Sequence, residues 1–267
     1  MIGLEELEML INIALFTGWI KDERPVSLLI IAKPESGKTE LVRKARRVKG
    51  VLYLTDATAW GIIDKHWDEI EARIIRHIIF ADITVPLGKS AETRKVLTRF
   101  LSALIEEGVV ELQSYVTTRV TTVENLRCGL IATITPDALE DQRAGWRKFG
   151  FMSRLLPVSY SYTVDTIGKI YQSILDHQYR QEKPVDPKLP NTDVAVYLPR
   201  QFAEAIKPYS MLAAQAEELY GFRIQKQFQT LMMGAALFNG RQTVTEDDYD
   251  LIVKLIPKYF NTNCNPV

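Results

Sequence analysis

Apolar residues recur at Leu4, Leu7, Leu10, Ile11 and Ala14, the spacing of one buried helical face, and the pattern stops near Gly18 and the charged turn Lys21-Asp22-Glu23-Arg24-Pro25. The next run, Val26-Ser27-Leu28-Leu29-Ile30-Ile31-Ala32, is apolar almost without a break. Such a run predicts a central parallel strand with helices over both faces, because neither side of it is suited to water. A helical pattern resumes over residues 37–48 and leads past Gly50 into a second strand, Val51-Leu52-Tyr53-Leu54. Within residues 73–81, Ile74, Ile75, Ile78, Ile79 and Phe80 predict a helix end running into a third buried strand that stops at Asp82.

Beyond it, Val96, Leu97, Phe100, Leu101, Leu104 and Ile105 mark an amphipathic helix over about 90–107, closed by Gly108. Residues 109–123 alternate and are rich in Val, Thr and Tyr, which predicts a β-hairpin. Strands follow at 128–134, stopped by Pro136, and at 156–162. After Val164 the strand signals fade and helical patterns cover 164–181, 201–220, 223–238 and 246–259, the last opened by a Thr245-x-x-Asp248 cap. Residues 183–190 carry three prolines and read as an extended linker. The layout is an α/β domain over 1–163 and a helical domain over 164–267.

Composition narrows the class. The 267 residues include 33 Lys+Arg against 33 Asp+Glu and are 46% hydrophobic, enough for a real core and too apolar for a disordered chain. Charge balance argues against holding nucleic acid or anionic lipid by bulk field alone and leaves room for local basic patches. Cys128 and Cys264 show no metal-type spacing and suit a reducing compartment, so a cytoplasmic protein is expected. No run approaches the ~20 apolar residues that span a bilayer. Glu5, Glu6 and Glu8 occupy the place of a basic signal-peptide start. His66, His77 and His177 are scattered without ligand spacing.

The segment Ala32-Lys33-Pro34-Glu35-Ser36-Gly37-Lys38-Thr39 has the spacing of a phosphate-binding P-loop between a strand and a helix, with Ala32 in place of the first glycine. In such a loop, backbone N–H groups of Pro34's successors Glu35 to Glu40 and the helix start hold a triphosphate, Lys38 reaches its terminal phosphates, and Thr39 places a hydroxyl on Mg2+. Asp82, at a strand end, is the expected second metal carboxylate on a neighbouring strand.

With these motifs the sequence resembles the AAA+ ATPases, and within them the MoxR-type and MCM-like branch. Ile2-Gly3-Leu4-Glu5-Glu6-Leu7 resembles the helix before their P-loop strand, and Leu101 to Val110 their helix ending in Glu-x-Gly before a hairpin. Leu130-Ile131-Ala132-Thr133-Ile134-Thr135-Pro136 is similar to the sensor-1 strand, with Thr135 where Asn is common. Ser153-Arg154-Leu155 resembles the arginine-finger segment, and Arg223 stands at the spacing of a sensor-2 arginine before Val244-Thr245.

The resemblance implies a P-loop NTPase fold, a three-layer αβα parallel sheet with an all-α lid, and a Mg-ATP site at subunit interfaces of a ring, commonly of six. Lys38, Asp82, Thr135 and Arg154 would act in catalysis, Arg223 would join the loop in holding ATP, and a DNA or protein client would be moved. The glutamate that usually follows the strand aspartate is replaced by Ile83. An ATP-binding loader with little hydrolysis is therefore the competing reading. Other assignments stay open: Arg143 and Arg147 compete with Arg154, Thr135 could only cap a turn, Arg223 could be helix surface, and the basic run 43–49 could be a solvated face. The hairpin, with Tyr115 and Arg119, would face a pore or simply extend a sheet.

Overall fold

The structure is a computed structural model that describes residues 1–109, 111–113, 118–120, 126–177, 187–215 and 219–260. The chain opens with α1 (Glu5–Phe16), then β1 (Leu28–Ile31), α2 (Lys38–Arg43), β2 (Val51–Leu54), α3 (Ala59–Glu71) and β3 (His77–Phe80). The short α4 (Thr84–Leu87) and the longer α5 (Ala91–Ser102) follow, α5 widening into a π turn over Ala103–Glu107 before Gly108. A small hairpin, β4 (Glu111–Gln113) and β5 (Thr118–Val120), precedes β6 (Gly129–Ile134), α6 (Pro136–Lys148) and β7 (Leu156–Ser159). The remainder is helical: α7 (Val164–Leu175), α8 (Arg200–Ala205), α9 (Lys207–Gln215), α10 (Phe222–Phe238) and α11 (Glu246–Tyr259).

Five strands form an all-parallel sheet in the order β2-β3-β6-β1-β7. Every residue of β1, β3 and β6 is buried, as their unbroken apolar runs require. Because side chains alternate across a strand, Leu28 and Ile30 join a core with α1, α2, α10 and α11, while Leu29 and Ile31 join a second core with α3, α5 and Trp146 of α6. The protein is thus α/β, with helices on both faces of one sheet.

The helices after residue 163 pack directly on the sheet domain. Gly234 of α10 lies so close to α1 that an added Cβ would stand 2.8 Å from the Ile13 carbonyl oxygen and 2.8 Å from Thr17 Cγ2. At the start of α11 the expected cap is present: Thr245 and Asp248 exchange side-chain and backbone bonds, and the fully buried Asp248 also accepts from Asn239 Nδ2 at 3.1 Å and Arg241 Nη2 at 2.5 Å.

Several expectations need correction. Helix α6 has no counterpart in the sequence reading; Thr135 caps it, Pro136 occupies its first turn and only Leu139 and Trp146 are buried, so its apolar signal is thin. The single helix expected over 201–220 is broken into α8 and α9, with Pro208 in the first turn of α9, where a ring without an N–H fits. Helix α7 stops at Leu175, two residues before His177 takes a left-handed φ of 55°. The last strand ends at Ser159 rather than 162. The expected hairpin pairs Glu111 with Val120 and Gln113 with Thr118, while Tyr115, Val123, Cys264, the Arg119 side chain and residues 183–186 lie outside the described residues.

Candidate functional site

The loop after β1 is tied at its base by the Ala32 N–H, which donates to Ile134 O at 3.2 Å. Ala32 is not among the residues of positive φ, so its methyl adds no strain where the motif has glycine. The left-handed positions are Glu35 (φ 62°) and Gly37 (φ 80°). Lys38 opens α2 with its side chain buried, and its ammonium turns back to donate to Lys33 O at 3.3 Å. The loop therefore wraps around its own cation, while Pro34, Glu35, Thr39 and Glu40 are exposed at its rim.

Two side chains that the sequence reading missed close over the loop. Tyr160 and Tyr162, just beyond β7, both donate their hydroxyls to Ser36 O, at 3.0 and 2.7 Å. Burial pushes the Tyr160 phenol well above its ordinary pKa, so it remains a donor. A Cβ on Gly37 would meet Met1 Cε at 2.9 Å and Tyr162 Oη at 3.5 Å, which leaves glycine as the residue that fits. The only sequence signal was the Tyr-x-Tyr alternation after an apolar strand.

Asp82 follows β3 and uses Oδ1 to accept from the Thr84 N–H at 2.9 Å and the Thr84 hydroxyl at 2.7 Å, opening α4. It stands one strand further from the loop than expected, because β6 lies between β3 and β1. At a spacing of about 4.8 Å per strand, β1 and β3 are ~10 Å apart. Thr135, after β6, falls between them on the same sheet edge. Its hydroxyl accepts from the Ala138 N–H at 3.4 Å and keeps its proton for a further partner. Ile83 is buried in apolar core and its N–H donates to Thr133 O at 3.0 Å, so nothing at that position can act as a base.

Beside the loop lies a pocket of about 450 Å³, lined in part by Gly3, Leu4, Tyr160, Tyr162, Lys258 and Tyr259. Glu6 on its wall accepts from Lys254 at 2.8 Å and Lys258 at 2.5 Å, bonds that lower the Glu6 pKa and raise that of Lys258. The end of α11 is thus tied to α1 next to the loop after β1.

Neither arginine is brought to that edge. Arg154 precedes β7 at the opposite edge, buried, with its guanidinium on Glu107 and Gly150 O. Arg223, at the start of α10, donates to Ser153 Oγ at 2.9 Å and approaches Glu106 Oε1 at 3.4 Å. Spacing along the chain carries no information on which sheet edge the helix start would reach, so this placement was not legible.

No protein-family model matches the chain, and a search of curated proteins gives no match. Among the described residues no helix is long and apolar enough to cross a membrane, and no group of three or more His, Cys, Asp or Glu could hold a metal ion. A cation at the loop would draw on Thr39, Asp82 and the oxygens of its ligand, and that set fits Mg2+, which binds through one or two protein ligands plus phosphate and water. Tyrosines at Ser36, Lys38 inside the loop and the adjacent pocket are likewise a fit for a nucleotide: a cation for phosphate, and aromatic walls for a base.

Proposed function

We propose that this chain is an AAA+-type, P-loop ATP-binding protein that uses its nucleotide state to move or remodel a macromolecular partner, DNA or protein. The observation that carries the reading is Lys38, buried and folded onto the carbonyl of Lys33 within its own loop, on the sheet edge shared by Thr135 and Asp82. Lys38 would exchange that carbonyl for phosphate oxygens, backbone N–H groups from Glu35 to Glu40 would cradle them, and Thr39 and Asp82 would hold Mg2+. Mg2+ supplies charge neutralisation at the phosphates when bound. The pocket walled by Tyr160, Tyr162 and Tyr259 would take the base.

Assembly into a ring, of six subunits by the resemblance, is supported by α7. None of its residues is buried, and Val164, Ile167, Tyr171, Ile174 and Leu175 present apolar surface at helical spacing. An amphipathic helix of that kind requires a partner surface. Arg154 reaches a neighbour only by releasing both Glu107 and the Gly150 carbonyl; Arg143 and Arg147 on α6 are the alternatives for a trans role. The setting is cytoplasmic. Arg223, which pairs with Glu106 and Ser153, lies at the opposite edge and is not included in the proposed site within one chain.

A second reading is favoured by Ile83. With an apolar buried side chain after Asp82, the protein binds ATP as a switch for assembly or loading onto DNA and turns it over slowly. Calorimetric titration with ATP and Mg2+, followed by a phosphate-release assay, tests both. Lys38→Ala should weaken ATP binding at least about tenfold, or ~1.4 kcal/mol. Asp82→Asn should remove the dependence on Mg2+. Equal ATP affinity in wild type and Lys38→Ala refutes the site; tight binding with negligible phosphate release selects the switch.

A further inference from the structure

At the sheet edge opposite the phosphate loop, two clefts of about 550 and 430 Å³ open side by side and share Arg24, Glu106, Arg223 and Lys226. Glu106 is the centre of the cluster. Its carboxylate pairs with Arg24 and lies 3.4 Å from Arg223 Nε, and its backbone oxygen accepts from Arg127 Nε at 2.9 Å. Lys226, one turn along α10 from Arg223, is exposed. Asp22 and Glu23 also line the larger cleft, where burial pushes the Glu23 carboxyl above its ordinary range.

The smaller cleft carries an unusual wall. Tyr220 and Phe222 stack on one another with ring centroids 5.8 Å apart and planes 10° from parallel, and they are 88% and 72% exposed. These rings contribute to neither hydrophobic core. Flat aromatic faces held in water beside a row of cations are the combination that takes up unpaired bases and their phosphates, since stacking accepts any base and the cations track the backbone. A duplex keeps its base faces internal, and an acidic peptide would use the cations and leave the rings idle.

We infer that this cleft binds single-stranded nucleic acid. Bases stack on the Tyr220 and Phe222 pair, and phosphates replace Glu106 as partner of Arg24 and Arg223 with Lys226 alongside. The site is separate from the phosphate loop and does not require nucleotide there.

The test is fluorescence anisotropy of a labelled 20-nucleotide oligo-dT with the full chain and no nucleotide, against the same length of duplex. The single strand should bind more tightly than the duplex. With about three phosphates contacted, log K should fall with log salt at a slope near −2, and Lys226→Ala should make the slope shallower by about 0.7. The Tyr220→Ala/Phe222→Ala double variant should lose at least about tenfold in affinity while its ATP affinity stays that of the wild type. Because both rings are exposed, the double variant should fold, which circular dichroism checks. The inference is overturned by no binding of oligo-dT at 50 mM salt, by an unchanged affinity in the double variant, by preference for duplex, or by equal competition from poly-glutamate.

Discussion

His77, the first residue of β3, is completely buried between Gly18 and Gly129, where an added Cβ would stand 2.7 Å from its Cε1 and 2.3 Å from its Cδ2. Burial holds its imidazole neutral and pushes the pKa down from 6.5 to about 3. The unfolded chain therefore takes up a proton near pH 6.5 that the folded chain refuses. Since the unfolded state binds more protons below that pH, stability rises with pH and is lost as pH falls from about 6.5 toward 3. At pH 5 the unfolded state gains about 1.5 log units, which at 1.36 kcal/mol per unit is ~2 kcal/mol of lost stability. Any folded pKa below about 4 gives the same figure at pH 5.

Urea unfolding followed by far-UV circular dichroism at pH 7.5, 6 and 5 measures this directly, and His77→Gln removes the titrating group. The variant has its own lower stability, so the readout is the difference between the two pH curves. The wild type should lose about 2 kcal/mol more than His77→Gln between pH 7.5 and 5. Curves that stay parallel to within about 0.5 kcal/mol would sink the argument, because the imidazole would then be charged or wet in the fold.

Three further outcomes follow from the packing. Asp248→Ala removes the acceptor shared by Asn239, Arg241 and Thr245, and should cost about 3 kcal/mol in urea unfolding; a loss below about 1 would show that the network is solvated. Gly234→Ala drives a methyl into the Ile13 carbonyl, and despite a helix-propensity gain of up to ~1 kcal/mol it should lower the melting temperature; a stabilised variant would mean that α1 and α10 are not this close. Tyr162→Phe deletes one donor to Ser36 O at the loop and should alter ATP affinity more than global stability, measured by titration and by melting; the reverse ranking would make Tyr162 a purely structural residue.

Where burial was two-sided, the sequence was readable. The apolar runs within residues 26–32, 73–81 and 128–134 suited buried strands, and β1, β3 and β6 lie within them at the centre of the sheet. The loop motif placed Lys38 at the start of a helix, as found. What escaped were features set by tertiary contact. The polar face of α6 hid a helix that is held by two buried side chains and one cap. The separation of Asp82 from the loop strand depends on β6 entering the sheet from 50 residues later, an event that no local pattern encodes. Arg223 was assigned by its distance from Thr245, whereas its position is decided by where Gly234 docks α10 on α1.

That docking also constrains how a nucleotide at the loop could act. Helices α10 and α11 share a single apolar core with α1 and one face of the sheet, and Lys254 and Lys258 fasten α11 to Glu6 beside the loop. Swinging these two helices away from the sheet would open that core, at ~1.5–3 kcal/mol for each large apolar side chain exposed. Helix α7 is under no such restraint. It has no buried residue, and its cap, Thr163, directly follows Tyr162, whose hydroxyl is held by the loop at Ser36. If a nucleotide acts from this loop as proposed, the least costly route to the surface runs from Ser36 through Tyr162 into α7, and ends on the exposed apolar stripe that the proposed subunit contact would use.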